Sequence, residues 1–107
     1  MNKTGQAMGH TLKTQAHWLE AQVYQALANP TRLEILSTLE AGPRTVTDLA
    51  DMLGLPVSCV SRHLRVLRET MLVNTHRLGP TVMYRVSDPR VVQVIELLRL
   101  ASAHPAR

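Results

Sequence analysis

The chain's apolar positions recur first at the spacing of a helix. Between Gln15 and Ala28 they fall at Ala16, Leu19, Val23 and Leu27, with Trp18 beside them, a one-sided stripe. Asn29-Pro30 ends that stripe and opens another, because Asn is a good N-cap and Pro fits the first helical position. Leu33, Ile35, Leu36 and Leu39 give this second helix a buried side, and Ala41-Gly42-Pro43 ends it. Thr45-Val46-Thr47-Asp48 has the form of a capping box, with Asp in place of the usual Glu or Gln. It predicts a short helix carrying Val46, Leu49, Ala50 and Leu53, stopped by Gly54. A fourth helix begins near Pro56 or Val57 and runs to about Thr70, with Val60, Leu64 and Leu67 on its inner side. Two helices joined across a short turn containing Gly form a helix-turn-helix unit.

The period then switches from helical to alternating. Leu72–Arg77 and Thr81–Val86 are rich in β-branched residues and flank Leu78-Gly79-Pro80, which predicts a β-hairpin with a short loop. In its second strand Val82, Tyr84 and Val86 share one face, and Met83 and Arg85 the other. Ser87-Asp88-Pro89 starts a last helix, which is apolar over much of its circumference: Val91, Val92, Val94, Ile95, Leu97, Leu98 and Leu100. A single core needs only a stripe, so the excess points to a partner. Residues 1–14 are polar, contain Gly5 and Gly9, and read as a flexible N-terminal arm; residues 103–107 read as a tail. The expectation is a mostly α fold with one small hairpin, a winged helix-turn-helix over residues 15–102.

Composition narrows the function. A chain of 107 residues holds one domain and leaves much surface exposed, which a second copy could cover. Trp18, Tyr24 and Tyr84 are its whole aromatic set, too few for a platform on which single-stranded nucleic acid stacks. The net charge of +4 suggests an anionic partner. Its distribution says more: residues 57–90 carry six arginines against Glu69 and Asp88, whereas residues 15–56 carry two against five carboxylates. Arginine's planar fork suits phosphates and guanine edges. One cysteine excludes an intramolecular disulfide framework and fits a reducing cytosol, and no stretch approaches a secretory signal or a membrane span. A cytoplasmic protein is expected.

With the inner stripe removed, the fourth helix leaves Ser58, Ser61, Arg62 and Arg65 on one outward surface, and these, with Cys59 near the helix start, are its candidate DNA contacts. Small hydroxyls near the N-terminus let a helix lie deep in the major groove, where Arg reaches guanine O6 and N7 or a phosphate. Arg77 and Arg85 on the hairpin would touch the backbone or minor groove beside it. Leu19 and Val23 on the first helix, with Val91, Val94, Ile95 and Leu98 on the last, are the candidate dimerisation residues.

Three segments also resemble the ArsR/SmtB family of bacterial repressors. These are Ala26-Leu27-Ala28-Asn29-Pro30-Thr31-Arg32-Leu33-Glu34-Ile35-Leu36, Val60-Ser61-Arg62-His63-Leu64-Arg65-Val66-Leu67-Arg68, and the wing pattern Arg77-x-Gly79-x-x-Val82-x-Tyr84-x-Val86 preceded by Leu72-Val73. The resemblance covers about residues 15 to 102. It implies a homodimer built from the first and last helices, an operator of inverted repeats in double-stranded DNA, and an inducer that releases it. The family's third-helix metal run, Cys-Val-Cys-Asp or Cys-Val-Gly-Asp, is here Thr45-Val46-Thr47-Asp48, and a soft-metal site without thiolates is implausible. Its last-helix zinc ligands, Asp, His, His and Glu, fall on Asp88, Arg90, Ala101 and His104. Both sites are broken, and no cofactor is expected.

Weaker candidates remain. His10, His17 and His104 lie near the termini and could hold Zn, Ni or Co, although tails commonly carry stray histidines. Cys59, one turn from His63, invites a nucleophile or redox reading, but no orienting group or oxyanion site accompanies it, so no enzyme is expected. The competing functional readings are an architectural or RNA-binding winged helix and a protein-interaction module that does not bind DNA. The basic recognition face, which an interaction module would not need, and the salt dependence of binding discriminate among them.

Overall fold

The computed structural model describes residues 3–103, and side chains over residues 14–103. The elements run α1 (Lys3–Leu27), α2 (Pro30–Glu40), α3 (Val46–Leu53), α4 (Val57–Glu69), β1 (Val73–Leu78), β2 (Thr81–Val86) and α5 (Pro89–Ser102). This is a winged helix-turn-helix. The hairpin is the wing, and Gly54-Leu55-Pro56 is the turn between α3 and α4.

The helix boundaries follow from their capping chemistry. Asn29 stays extended and accepts from the Arg32 amide, with Pro30 in the first turn. Thr45 and Asp48 close the reciprocal capping box. Asp88 accepts from the Arg90 amide at the start of α5. Gly54 ends α3 at φ 66, a left-handed conformation that costs glycine nothing, and the Leu55 amide reaches back to the Ala50 carbonyl. α4 ends in the same geometry, with the Leu72 amide bonded to Leu67 O at 2.8 Å and the Met71 amide to Arg68 O at 3.0 Å. There the left-handed residue is Met71, at φ 62. A Cβ in that region is strained by about 1–2 kcal/mol.

The core sits between α2, α3 and α4. Ile35 and Leu36 of α2, Leu49 of α3, and Val60, Leu64 and Leu67 of α4 are fully buried, joined by Leu72 and Val73 at the root of the wing. Strands β1 and β2 pair antiparallel from Val73–Val86 to Leu78–Thr81, so Gly79 and Pro80 alone make the turn. Gly79 adopts φ 63, as the first central position of a tight hairpin turn requires. A bridge between Arg44 and Tyr84 adds a third short strand segment, tying the approach to α3 onto the wing.

The structure departs from the sequence reading in both outer helices. Helix α1 extends back to Lys3, through the stretch read as an arm. Once a helix is nucleated, each further residue costs little, and residues 3–14 contain no proline to stop it. Helix α5 divides its apolar residues more sharply than expected. Ile95, read as a dimerisation residue, is only 8% exposed and packs in the protomer's own core, while Val23 and Val91 lean half-buried against that core. Leu19, Val94 and Leu98 remain exposed, in the company of Trp18, Tyr24, Leu97 and Leu100.

Candidate nucleic-acid interface

Helix α4 is strongly amphipathic, and its orientation is fixed from inside. With Val60, Leu64 and Leu67 fully buried on one face, the residues on the opposite side of the helix, one or two positions away along the chain, are turned outward. Ser58, Ser61, Arg62 and Arg65 are all exposed, on one row, as the spacing predicts. Cys59 is not on that row. It is half-buried and lies with His63 and Val66 on the flank of the helix, between the exposed face and the core.

The start of α4 differs from the starts of α2, α3 and α5. Those three are capped by a side chain, whereas Pro56 precedes α4 and no side chain caps it. A helix N-terminus has amides without intrahelical partners and a partial positive charge, which suits a phosphate oxygen. The open end sits directly beside the exposed serines.

The two wing arginines are separated by the hairpin register. Arg77 pairs with Val82, one step from the turn, and shares that face with Tyr84 and Thr75. Arg85 pairs with Asn74 on the opposite face, near the wing's root, where Asn74 Oδ1 accepts from its Nε at 2.9 Å. Arg85 also borders a crevice of about 350 Å³ with Glu40, Pro43 and Pro89. The structure therefore brings Arg77 to the tip of the wing and holds Arg85 at its base. The sequence reading missed Arg44, a further cation that the bridge to Tyr84 sets at the edge of β2. Its isolated position before the capping box gave no periodic signal.

The positions that the family's metal sensors use do not fit a metal. At the start of α3 the Thr45 hydroxyl accepts from the Asp48 amide at 3.0 Å, the Asp48 carboxylate accepts from the Thr45 amide at 3.3 Å, and no sulfur is present. At the start of α5 the Asp88 carboxylate is held by the Arg90 guanidinium, with Nη2 to Oδ2 at 2.6 Å. That hydrogen bond, with the Arg90 amide, lowers the Asp88 pKa to about 2. A fixed cation thus stands where a histidine ligand is needed, and Ala101 offers only a methyl group. Among the terminal histidines, His17 is exposed on α1 with Nδ1 3.5 Å from Glu20. His10 falls in α1 among residues whose side chains are not described, and His104 lies outside the described residues. Among the described residues no three His, Cys, Asp or Glu side chains gather as a metal site. Nor is any helix there long and apolar enough to cross a membrane.

Comparison with known proteins agrees with this architecture. The model of the bacterial regulatory protein arsR family matches residues 29–75, from the cap of α2 into β1. The transcriptional regulator NmtR of Mycobacterium tuberculosis is 43% identical over 93 residues, spanning 87% of this chain and 78% of that protein. The transcriptional repressor SmtB of the same organism is 34% identical over 74 residues, 69% of this chain and 55% of the longer relative. The homodimeric winged helix-turn-helix DNA-binding domain of Mb0332 from Mycobacterium bovis superposes with a TM-score of 0.80 at 32% identity, covering 88% of both chains. The chain belongs to the ArsR family of bacterial transcriptional regulators and carries that family's winged helix-turn-helix DNA-binding fold.

Proposed function

We propose that two copies of this chain, joined through α1 and α5, bind an inverted-repeat operator in double-stranded DNA and repress transcription until an inducer releases it. The observation that carries this reading is the exposed Ser58–Ser61–Arg62–Arg65 row on a helix anchored by a fully buried stripe. Arg62 and Arg65 reach base edges, the serines allow close approach, and the uncapped start of α4 meets a phosphate. Arg77 at the wing tip contacts the backbone alongside. The dimer follows from the apolar surface left on the outer helices, where Leu97 is 66% exposed and Trp18 61%. It sets the two recognition helices about 34 Å apart, one turn of B-DNA. The protein acts in the cytoplasm by binding rather than catalysis. Its inducer is not a metal held at the Thr45–Asp48 or Asp88–Arg90 positions.

The test is a titration of duplexes selected from a random pool against unselected duplex, at two salt concentrations. Arg62→Ala weakens binding to the selected sequence by about 1–3 kcal/mol and leaves the random duplex nearly unchanged. Arg77→Ala weakens both about equally and reduces the salt dependence, as loss of a phosphate contact does. Wild-type affinity for both duplexes in both variants would falsify the assigned DNA face. Winning sequences without two-fold symmetry would overturn the inverted-repeat operator.

A further inference from the structure

Arg32 opens α2 but does not point to solvent or to an acid. Its Nε donates to Ala26 O at 2.6 Å and its Nη2 to Gln25 O at 3.0 Å, two carbonyls in the last turn of α1. A cation there satisfies the Ala26 carbonyl, which has no backbone donor among the described residues, shares the Gln25 carbonyl with the Ala28 amide, and complements the negative end of the helix dipole. The third arm of the same guanidinium, Nη1, lies 3.3 Å from Nδ1 of His63, on the half-buried flank of α4. Guanidinium has only donors, so Nδ1 accepts and the ring proton resides on Nε2. Three rigid planar contacts thus join the end of α1, the start of α2 and the middle of α4, across 31 residues of sequence between Arg32 and His63. Among the described residues no carboxylate is bonded to the guanidinium, so each arm depends on a neutral acceptor held in place by its own helix.

We propose that Arg32 is a positioning residue for DNA recognition: its guanidinium clamps the last carbonyls of α1 to the His63 imidazole, fixing the recognition helix relative to the first helix. This rests on the dimer and DNA-face reading above. If α1 belongs to the dimer interface and α4 to the DNA interface, the clamp sets how the spacing of the two recognition helices follows from the interface. A lysine cannot replace it, because an ammonium lacks the planar fork that meets three acceptors at once. Glutamine can replace His63, because its Oε1 is a neutral acceptor at similar reach; leucine cannot.

The experiment uses the full chain, wild type and the variants Arg32→Lys, His63→Gln and His63→Leu. It follows binding to the selected and random duplexes, sedimentation, thermal unfolding, and the histidine ring nitrogens by long-range ¹⁵N–¹H spectra. Arg32→Lys and His63→Leu are expected to lose about tenfold in affinity for the selected duplex, the scale of one or two charge-assisted hydrogen bonds. Both keep wild-type affinity for random duplex and remain dimeric, and His63→Gln stays within about twofold of wild type on the selected duplex. The wild-type His63 ring shows the Nε2–H form, and Arg32→Lys shows a mixture. A helix cap alone predicts otherwise: His63→Leu would bind as wild type, and that result overturns the clamp. If Arg32→Lys unfolds, the His63→Leu and His63→Gln pair still decides. Failure of the wild type to dimerise or to prefer a selected duplex instead overturns the functional reading on which the clamp rests.

Discussion

The helix-turn-helix half and the outer-helix half of this chain treat their apolar residues in opposite ways. In α2, α3 and α4 most of the large aliphatic residues at inner positions are buried within one protomer, and the exposed faces are polar or charged apart from Met52 and Val57. Among the described side chains of α1 and α5 only Ala26 and Ile95 are buried, while Trp18, Leu19, Tyr24, Val94, Leu97, Leu98 and Leu100 are exposed. The radius of gyration, 17.6 Å, exceeds the roughly 13 Å of a compact chain this long. The lesson is that one half is complete as a monomer and the other is not. The DNA-reading half owes its shape to its own core, so substitutions there act on folding or on the nucleic acid. In the proposed dimer, substitutions at the exposed apolar positions of the outer helices act on association, while Ala26 and Ile95 belong to the protomer's own core.

Substitutions that trade one role for the other give the largest effects. Leu64→Ala, at a fully buried position of α4, lowers the unfolding free energy by about 2–5 kcal/mol in chemical denaturation. On α5, Ile95→Asp and Leu98→Asp separate two roles within one turn. Ile95→Asp places an unpaired charge in the protomer's core and gives unfolded or insoluble protein. Leu98 is 59% exposed in the protomer, so Leu98→Asp yields a folded monomer with the far-ultraviolet spectrum of the wild type. Sedimentation of Leu98→Asp as a dimer would erase the distinction between the two halves.

Next come the arginines. The separation of Arg77 from Arg85 by hairpin register predicts unequal effects on DNA. Arg77→Ala, at the free tip, costs about 1 kcal/mol or more in affinity for any duplex, as loss of a charge-assisted phosphate contact does. Arg85→Ala costs less, because its Nε is already bonded to Asn74 at the wing's root. Equal losses in anisotropy titrations would show that the wing presents both faces to DNA.

Much of this contrast was legible in the sequence, and the reasons for what was not are specific. Capping chemistry is local, so Asn29-Pro30, the Thr45–Asp48 box and Gly54 located their helices correctly. The period of α4 gave both its buried stripe and its exposed row, because each follows from 3.6 residues per turn. Partition within α5 was not legible: seven apolar residues in one helix do not say which face meets the protomer's own core, and Ile95 was assigned to the wrong one. Nor was the relation of Arg77 to Arg85, since facing across a hairpin depends on register, which the two-residue Gly79-Pro80 turn sets. The reach of Arg32 to His63 joins separate helices and leaves no pattern along the chain.

The two left-handed helix ends within the helix-turn-helix half offer a smaller test. Gly54 and Met71 hold nearly the same φ, 66 and 62, but only one is a glycine. Met71 is 80% exposed, so its side chain gains almost nothing from packing. Met71→Gly should raise the unfolding free energy by about 0.5–1 kcal/mol, while Gly54→Ala should lower it by about 1 kcal/mol. No neighbouring atom lies within 4 Å of a Cβ built on Gly54, so that loss measures the backbone conformation alone. A neutral Met71→Gly would mean that the end of α4 holds its shape without strain.

The smallest effect concerns pH, and it belongs to His63 on the half-buried flank of α4. Burial disfavours the charged ring of His63, and the Arg32 and Arg62 guanidinium groups add to that, so its pKa lies below the ordinary 6.5. The folded protein therefore binds a proton at His63 more weakly than the unfolded chain does. The stability this represents is fully present above pH 6.5. It falls as pH drops below that value, because the unfolded state takes up its proton first, and the loss levels off once pH has passed the folded pKa. Urea unfolding at several pH values between 7.5 and 5 should show a decline in wild type that His63→Gln largely removes, since glutamine keeps the acceptor but does not titrate. If the His63→Gln curve falls as steeply as the wild type, the neutral ring against Arg32 contributes nothing to the pH dependence. The decline would then belong to groups elsewhere in the chain.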